Sequence, residues 1–355
     1  MTALKAGDFA TGLQLLKPRA ERGEADAQSN LGLLYYDGLG VTRDYVQAAH
    51  WFRLAATQGH SAAQYNLGVI YYDGQGVPQD YGEAARWFRL AASQGNSGAQ
   101  YNLGLMYSNG QGVRQDYAEA LRFYRLAAAQ GHSGAEHNLG VMYANAQGTP
   151  RDYAEAARWY RLAAAQGHIG AQLKLAYLYY DGQGVSQDYR EAARWYRLAA
   201  EQGDGGAQYN LGLMYYLGRG VPQDYAEAMR WYRLTAEQGD PGAQYNIGLM
   251  YANGQGVAQD YAEAARWYGL AAAQGNAGAQ YNLGIMFATG QGVSLDYVQA
   301  YKWFDLAASP IDPADTQAQD AAVKNRDFIA AKMTPSQIAE AQRLSKAWNP
   351  SAALP

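Results

Sequence analysis

The side chains able to do chemistry are few. Five histidines, His50, His60, His132, His137 and His168, could ligate a metal or act as bases, but no His-x-x-x-His pair or carboxylate cluster accompanies them. His60, His132 and His168 recur at one position of a repeating pattern, where Asn96 and Asn276 also occur, which suits a solvated turn rather than a ligand. The chain has no cysteine, so thiolate metal sites, cysteine nucleophiles and disulfides are excluded together. Gly74-Gln75-Gly76-Val77 lacks the lysine and hydroxyl of a phosphate loop and returns in nearly every copy of the pattern, so it reads as a turn. Repeated carboxylates such as Asp80 fall where helix starts need caps. The residues therefore predict a non-enzymatic chain with no metal and no cofactor.

What remains is recognition chemistry, set by a period of 36 residues. Asn-Leu/Ile-Gly appears at Asn30, Asn66, Asn102, Asn138, Asn210, Asn246 and Asn282, with Lys174-Leu175-Ala176 filling the missing step, so eight copies share one register. A period of this length means stacked supersecondary units rather than several globular domains. One row of the stack reads Tyr65, Tyr101, His137, Leu173, Tyr209, Tyr245 and Tyr281. The next reads Asn66, Asn102, Asn138, Lys174, Asn210, Asn246 and Asn282, and a third holds Tyr36, Tyr72, Tyr180 and Tyr216. Tyrosine offers contact area with a polar tip, and asparagine can bond a peptide backbone both ways. These rows are the candidate partner-binding residues, with Lys174 and His137 favouring acidic groups. The competing reading has the asparagines bonding loop backbones of the next unit and Tyr65 packing between units.

The elements that carry these rows follow from one unit. Ala63, Leu67 and Tyr71, at spacings of four, predict a first helix (A), and Gly68 leaves room for a neighbouring backbone. Helix A stops at Asp73-Gly74-Gln75-Gly76. Helix B starts at Asp80, with Glu83 three residues on as a capping box requires, and runs through an alanine-rich stripe to Gly95. Both helices should be about 13 to 15 residues, marginal alone, so stability must come from stacking. The ring at Trp87, Trp159, Trp195, Trp231 and Trp267, with Phe123 once, reads as core packing between units.

The expected architecture is all-α: an α-solenoid of antiparallel helix pairs. Residues 1–26 should form an N-terminal half-repeat, with Leu15 aligned to Trp51 and Gly23 to Gly59. Its missing helix A would precede Met1, either because the chain opens on a capping half-unit or because an upstream piece, such as an export signal, is absent. Eight units occupy 27–309; residues 310–348, after the period breaks at Pro310 and Pro313, should be capping helices, with Thr334-Pro335-Ser336-Gln337 opening the last; 349–355 reads as a disordered tail. Two units depart most: Ala146 replaces a glycine in the fourth, and Leu173-Lys174-Leu175-Ala176 replaces Tyr-Asn-Leu-Gly in the fifth.

Charge is 28 basic against 32 acidic residues, a formal net of -4, with signs interspersed along helix B. No basic run neutralises phosphates, so nucleic-acid binding is disfavoured, and no apolar stretch approaches the length of a membrane span. The compartment stays open between cytoplasmic and, given an export signal, periplasmic or secreted. A monomer is expected.

The unit resembles the SEL-one-like repeat, a tetratricopeptide-related solenoid, at Ala63, Leu67-Gly68, Tyr71, Gly74-Gln75-Gly76-Val77, Asp80, Ala84, Trp87 and Ala91-Ala92. The resemblance implies a right-handed superhelix with helix A lining the concave side, acting as an adaptor for other proteins, often in bacterial signalling, envelope or host-interaction roles. It also implies that the asparagine row holds an extended peptide. Some relatives tie each unit with a disulfide and act on or bind β-lactams; this chain has no cysteine. The function expected is a protein-protein interaction scaffold. The alternative is a small-ligand sensor or hydrolase-like enzyme using the irregular fourth and fifth repeats.

Overall fold

The computed structural model describes residues 9–309 and 316–349, and side chains of 316–318 are outside that description. Among the described residues the chain is helical, without a strand. It divides into two compact units, Met1–Gln187 and Asp188–Pro355. The first holds α1 (Phe9–Glu21), α2 (Ala25–Asp37), α3 (Tyr45–Thr57), α4 (Ser61–Asp73), α5 (Tyr81–Ser93), α6 (Ser97–Asn109), α7 (Tyr117–Ala128), α8 (Ser133–Asn145), α9 (Tyr153–Ala165) and α10 (Ile169–Asp181). The second holds α11 (Tyr189–Glu201), α12 (Gly205–Leu217), α13 (Tyr225–Glu237), α14 (Pro241–Asn253), α15 (Tyr261–Ala273), α16 (Ala277–Thr289), α17 (Tyr297–Ala307), α18 (Thr316–Ala330) and α19 (Pro335–Ala347). Even-numbered helices up to α16 are the A helices and odd ones up to α17 the B helices. Within each unit every helix up to α17 packs on the next in sequence, and α18 and α19 both pack on α17.

Helix B begins where the sequence places it. Asp80 is extended, and its carboxylate accepts from the Glu83 amide at 3.0 Å. The expected capping box does not close. The Asp80 N–H is already donated to the Tyr71 carbonyl at 3.0 Å, so Glu83 turns outward and accepts from Arg86 and the Trp87 indole, each at 3.1 Å. The box does form at Thr334 and Gln337, where α19 starts.

Helix A buries Ala63, Gln64, Leu67, Gly68 and Ile70, a wider face than spacings of four suggest, while Tyr71 is half-buried. The reason is that helix A has neighbours on two sides, its own helix B and the preceding repeat. Gly68 makes room for a ring rather than for backbone: a Cβ there would sit 2.7 Å from Phe88. Phe88 and Leu67 are fully buried with Ala91 and Ala99 in repeating cores, and Trp87 packs into a cluster that joins Phe52 of the preceding repeat to Leu67 and Ile70 of its own. Helix A ends on a left-handed residue, Gly74 at φ 71°, and Ala146 occupies the same conformation at φ 58°, alone among the described non-glycine residues. At the far end, α18 and α19 pack on α17, where Ala300, Tyr301 and Phe304 share a core with Ile329 and Ala341. Residues 310–315 and 350–355, including Pro310, Pro313 and most of the expected tail, lie outside the described residues.

Candidate partner-binding surface

The rows of tyrosine and asparagine sit on helix A, and its N-terminus fixes where they start. His60, His132 and His168 are the N-caps: their Nδ1 atoms accept from the amides of Ala63, Ala135 and Ala171 at 3.2, 3.3 and 3.2 Å. Asn96, Asp204, Asp240 and Asn276 do the same job. The position is thus a capping site rather than a solvated turn, and an accepting Nδ1 puts the ring proton on Nε2. In His60 that atom faces Asp26 at 3.2 Å.

From this start the tyrosine row falls half-buried between successive repeats. The ring of Tyr101 lies 6.0 Å from Tyr124, stacks on His132 at 4.4 Å, and covers Gly134. Tyr65 lies against Phe88 and over Gly98; in the second unit Tyr209, Tyr245 and Tyr281 face Tyr232, Tyr268 and Phe304. Burial pushes the Tyr101 and Tyr245 phenols up. The third row is tied as well. Tyr72 donates to Gln111 at 3.0 Å and Tyr216 to Gln255 at 2.9 Å, each in the glycine loop of the next repeat, while Tyr36 packs edge-on to Tyr45 and Tyr180 is half-buried.

The asparagine row divides. Asn246 donates to the Tyr209 hydroxyl at 3.3 Å, Asn282 serves Tyr245 and Tyr268, and Asn138 serves Tyr101 and accepts or donates at His137 Nδ1 across 3.2 Å. Asn210 bonds the Gly206 carbonyl at 2.8 Å. These amides reach back to tyrosines of the preceding repeat or to their own helix, not to loop backbones. Asn66 and Asn102, half-buried on α4 and α6, have side chains used by no hydrogen bond among the described residues. Lys174 continues the row on α10 and is exposed.

His137 takes the tyrosine place in the fourth repeat, stacked on His168 at 4.5 Å. Burial, then the nearby His168 and Lys174, hold it down to about 4, so it is neutral at pH 7 and the positive charge here rests on Lys174.

The sequence reading missed a ladder of buried glutamines one position before the tyrosine row. Gln100 on α6 donates to the Ala92 carbonyl at the end of α5 (3.3 Å) and accepts from Gln130 at the end of α7 (2.8 Å). Gln28, Gln64 and Gln208 bridge successive B helices in the same way. The pattern Ala-Gln-Tyr-Asn was visible, but only the unmet carbonyls ending helix B give the glutamine a reason to be inside.

The Sel1 repeat family model matches residues 25–60, 61–96, 97–132, 133–168, 169–204, 206–240, 241–276 and 277–309, and the chain belongs to the Sel1 repeat family. Proteins of that family generally act as protein-interaction scaffolds and are typically not enzymes. Among solved structures, a Sel1 repeat protein from Oxalobacter formigenes is similar at 37% identity over 88% of this chain and 91% of its own, with a TM-score of 0.64. A protective antigen present in uropathogenic Escherichia coli strains, displaying an SLR fold, is similar at 32% identity over 96% of each chain, with a TM-score of 0.59. No curated protein matches the chain. No helix among the described residues is long and apolar enough to cross a membrane.

Proposed function

We propose that the chain is a non-enzymatic scaffold that binds an extended segment of a partner protein along the A-helix face of its first unit. The observation that carries this reading is the pair Asn66 and Asn102. They are amides in the same register, one repeat apart, flanked by the half-buried rings of Tyr65, Tyr101 and Tyr72, and unlike Asn138, Asn246 and Asn282 they are not spent on tyrosine hydroxyls. An amide offers a donor and an acceptor side by side, which matches the alternating groups of an extended backbone. Lys174 on α10 extends the row with a charge, so an acidic residue in the bound segment is favoured at that end. The tyrosine rows supply contact area and, being packed already, lose little freedom on binding. The protein acts as a monomer on this reading and does not take nucleic acid, since Arg86, Arg122 and Arg158 are paired with Glu83, Glu119 and Glu155 and no basic stripe forms on helix B. Isothermal titration with a peptide selected from a random library tests it: Asn66→Ala with Asn102→Ala should weaken binding at least about tenfold with the melting curve unchanged. Unchanged affinity would remove the site.

A further inference from the structure

One rung of the glutamine ladder is altered. In the fourth repeat the place of Gln28, Gln64, Gln100, Gln172, Gln208, Gln244 and Gln280 is taken by Glu136, which is as buried as they are. Its Oε2 accepts from Gln166 at 2.7 Å, as Gln100 accepts from Gln130 at 2.8 Å. The other half of the rung cannot be repeated by a carboxylate. Gln64, Gln100 and Gln172 each give an amide hydrogen to the alanine carbonyl eight residues back, at 3.1, 3.3 and 3.2 Å. The corresponding acceptor for Glu136 is Ala128, whose carbonyl closes α7 and, among the described residues, receives the Gly131 amide at 2.9 Å and no side-chain donor. An ionised side chain would bring a second acceptor against that carbonyl in a buried place; a protonated one has the hydrogen the rung requires.

We propose that Glu136 is folded into the joint between the third and fourth repeats as a neutral carboxylic acid, its proton standing in for the amide hydrogen of glutamine, so that this joint responds to pH. The surroundings offer no cation to hold the charged form. Four helices pack on α8: α6, α7, α9 and α10. Helix α6 bears no charged side chain. On α7, Arg122 pairs with Glu119 and Arg125 with the Tyr143 hydroxyl; on α9, Arg158 pairs with Glu155 and Arg161 with the Tyr179 hydroxyl. Lys174 and Asp181 on α10 are exposed. The phenols of Tyr124 and Tyr160 are buried and neutral, and burial holds the His132, His137 and His168 imidazoles down. Burial likewise pushes the Glu136 carboxyl up, the Gln166 amide offsetting part of this. A group whose folded pKa is raised contributes stability that is present below its unfolded pKa and lost as pH rises through the folded value. Protonation therefore tightens the joint, and deprotonation leaves a buried charge that loosens it.

The test compares the full chain with Glu136→Gln by thermal melting from pH 4 to pH 9, alongside the carboxyl carbon resonance of Glu136 in glutamate-labelled protein. The variant should melt with the parent near pH 4 and above it at higher pH, the gap opening through the carboxyl's titration and then holding. The resonance should titrate with a midpoint above the ordinary glutamate carboxyl value of 4.5. A midpoint at or below that value, or a variant that tracks the parent at every pH, overturns the proposal. If Glu136→Gln does not fold, the resonance of the parent decides, and Gln100→Glu should bring the same loss on raising pH to the joint of the second and third repeats.

Discussion

Arg233 on α13 donates to the hydroxyl of Tyr251 on α14 at 2.9 Å, across the boundary of the sixth and seventh repeats. Arg53 reaches Tyr71, Arg89 Tyr107, Arg125 Tyr143, Arg161 Tyr179 and Arg197 Tyr215 in the same way, from the B helix of one repeat to the A helix of the next. The series then stops on both sides at once: Gly269 stands where the next arginine would be and Phe287 where the next hydroxyl would be. Joint loss at one step is what a pair acting as a unit implies. The bond is solvent-accessible, so its coupling should be small, about 0.5 to 1 kcal/mol in a double-mutant cycle of Arg233→Ala and Tyr251→Phe. At the boundary of the seventh and eighth repeats, Gly269→Arg should stabilise further when combined with Phe287→Tyr than the two changes do separately; strict additivity would show that the pair is only neighbours.

Ala146 holds φ 58° at the end of α8, where the other repeats use glycine. An L residue there is strained by its Cβ, so Ala146→Gly should raise stability by about 0.5 to 1 kcal/mol in denaturant unfolding. A fall in the midpoint would mean that the alanine methyl contributes packing worth more than the strain.

Gly104 on α6 faces the Tyr124 ring so closely that an added Cβ would lie 2.5 Å from it. Tyr124 is buried and cannot step aside, so Gly104→Ala should cost about 1 to 3 kcal/mol despite the better helix propensity of alanine. An unchanged or higher melting temperature would show that α6 and α7 can slide apart.

His137 is a source of stability lost on acidification, opposite in direction to Glu136. Its folded pKa, held down to about 4, lies below the unfolded value, so its contribution is present above the unfolded pKa and lost as pH falls towards the folded one. Replacement by the residue found in most other repeats, His137→Tyr, should flatten the loss of stability between about pH 6.5 and 4. An unchanged slope there would place the titration elsewhere.

The C-terminal helices are expected to cap the array. Phe304 and Tyr301 are buried beneath Ile329 and Ala341, so a chain ending near Asp320 exposes a ring-rich face and should associate in sedimentation experiments. A monomeric truncation with unchanged melting would make α18 and α19 an appendage.

The repeat, its helix ends and the αL stops were legible in the sequence because each is a local constraint: glycine at Gly74, aspartate at Asp80, alanines at the close approaches. The links between repeats were not. Gln100 reads as a surface amide until the carbonyl of Ala92 is placed beside it, and Arg89 as a free face until Tyr107 is. The role of His60 was within reach, since a position alternating among histidine, asparagine and aspartate suits an N-cap before it suits anything else. Glu83 was misread for the opposite reason: Asp80 and Glu83 have capping-box spacing, but the backbone donor is taken by Tyr71, which is near only in the fold.

The central claim is that an extended partner segment lies along Asn66, Asn102 and Lys174. The most direct measurement is backbone amide chemical-shift mapping of the full chain with a selected peptide ligand, repeated with Lys174→Glu. The account predicts that the shifts gather on α4, α6, α8 and α10, and that the charge reversal weakens an acidic peptide about tenfold or more while sparing a neutral one. Shifts gathered instead around Leu54, Leu90, Leu126 and Leu162, which stand 37 to 44% exposed on the B helices, with no response to Lys174→Glu, would contradict it.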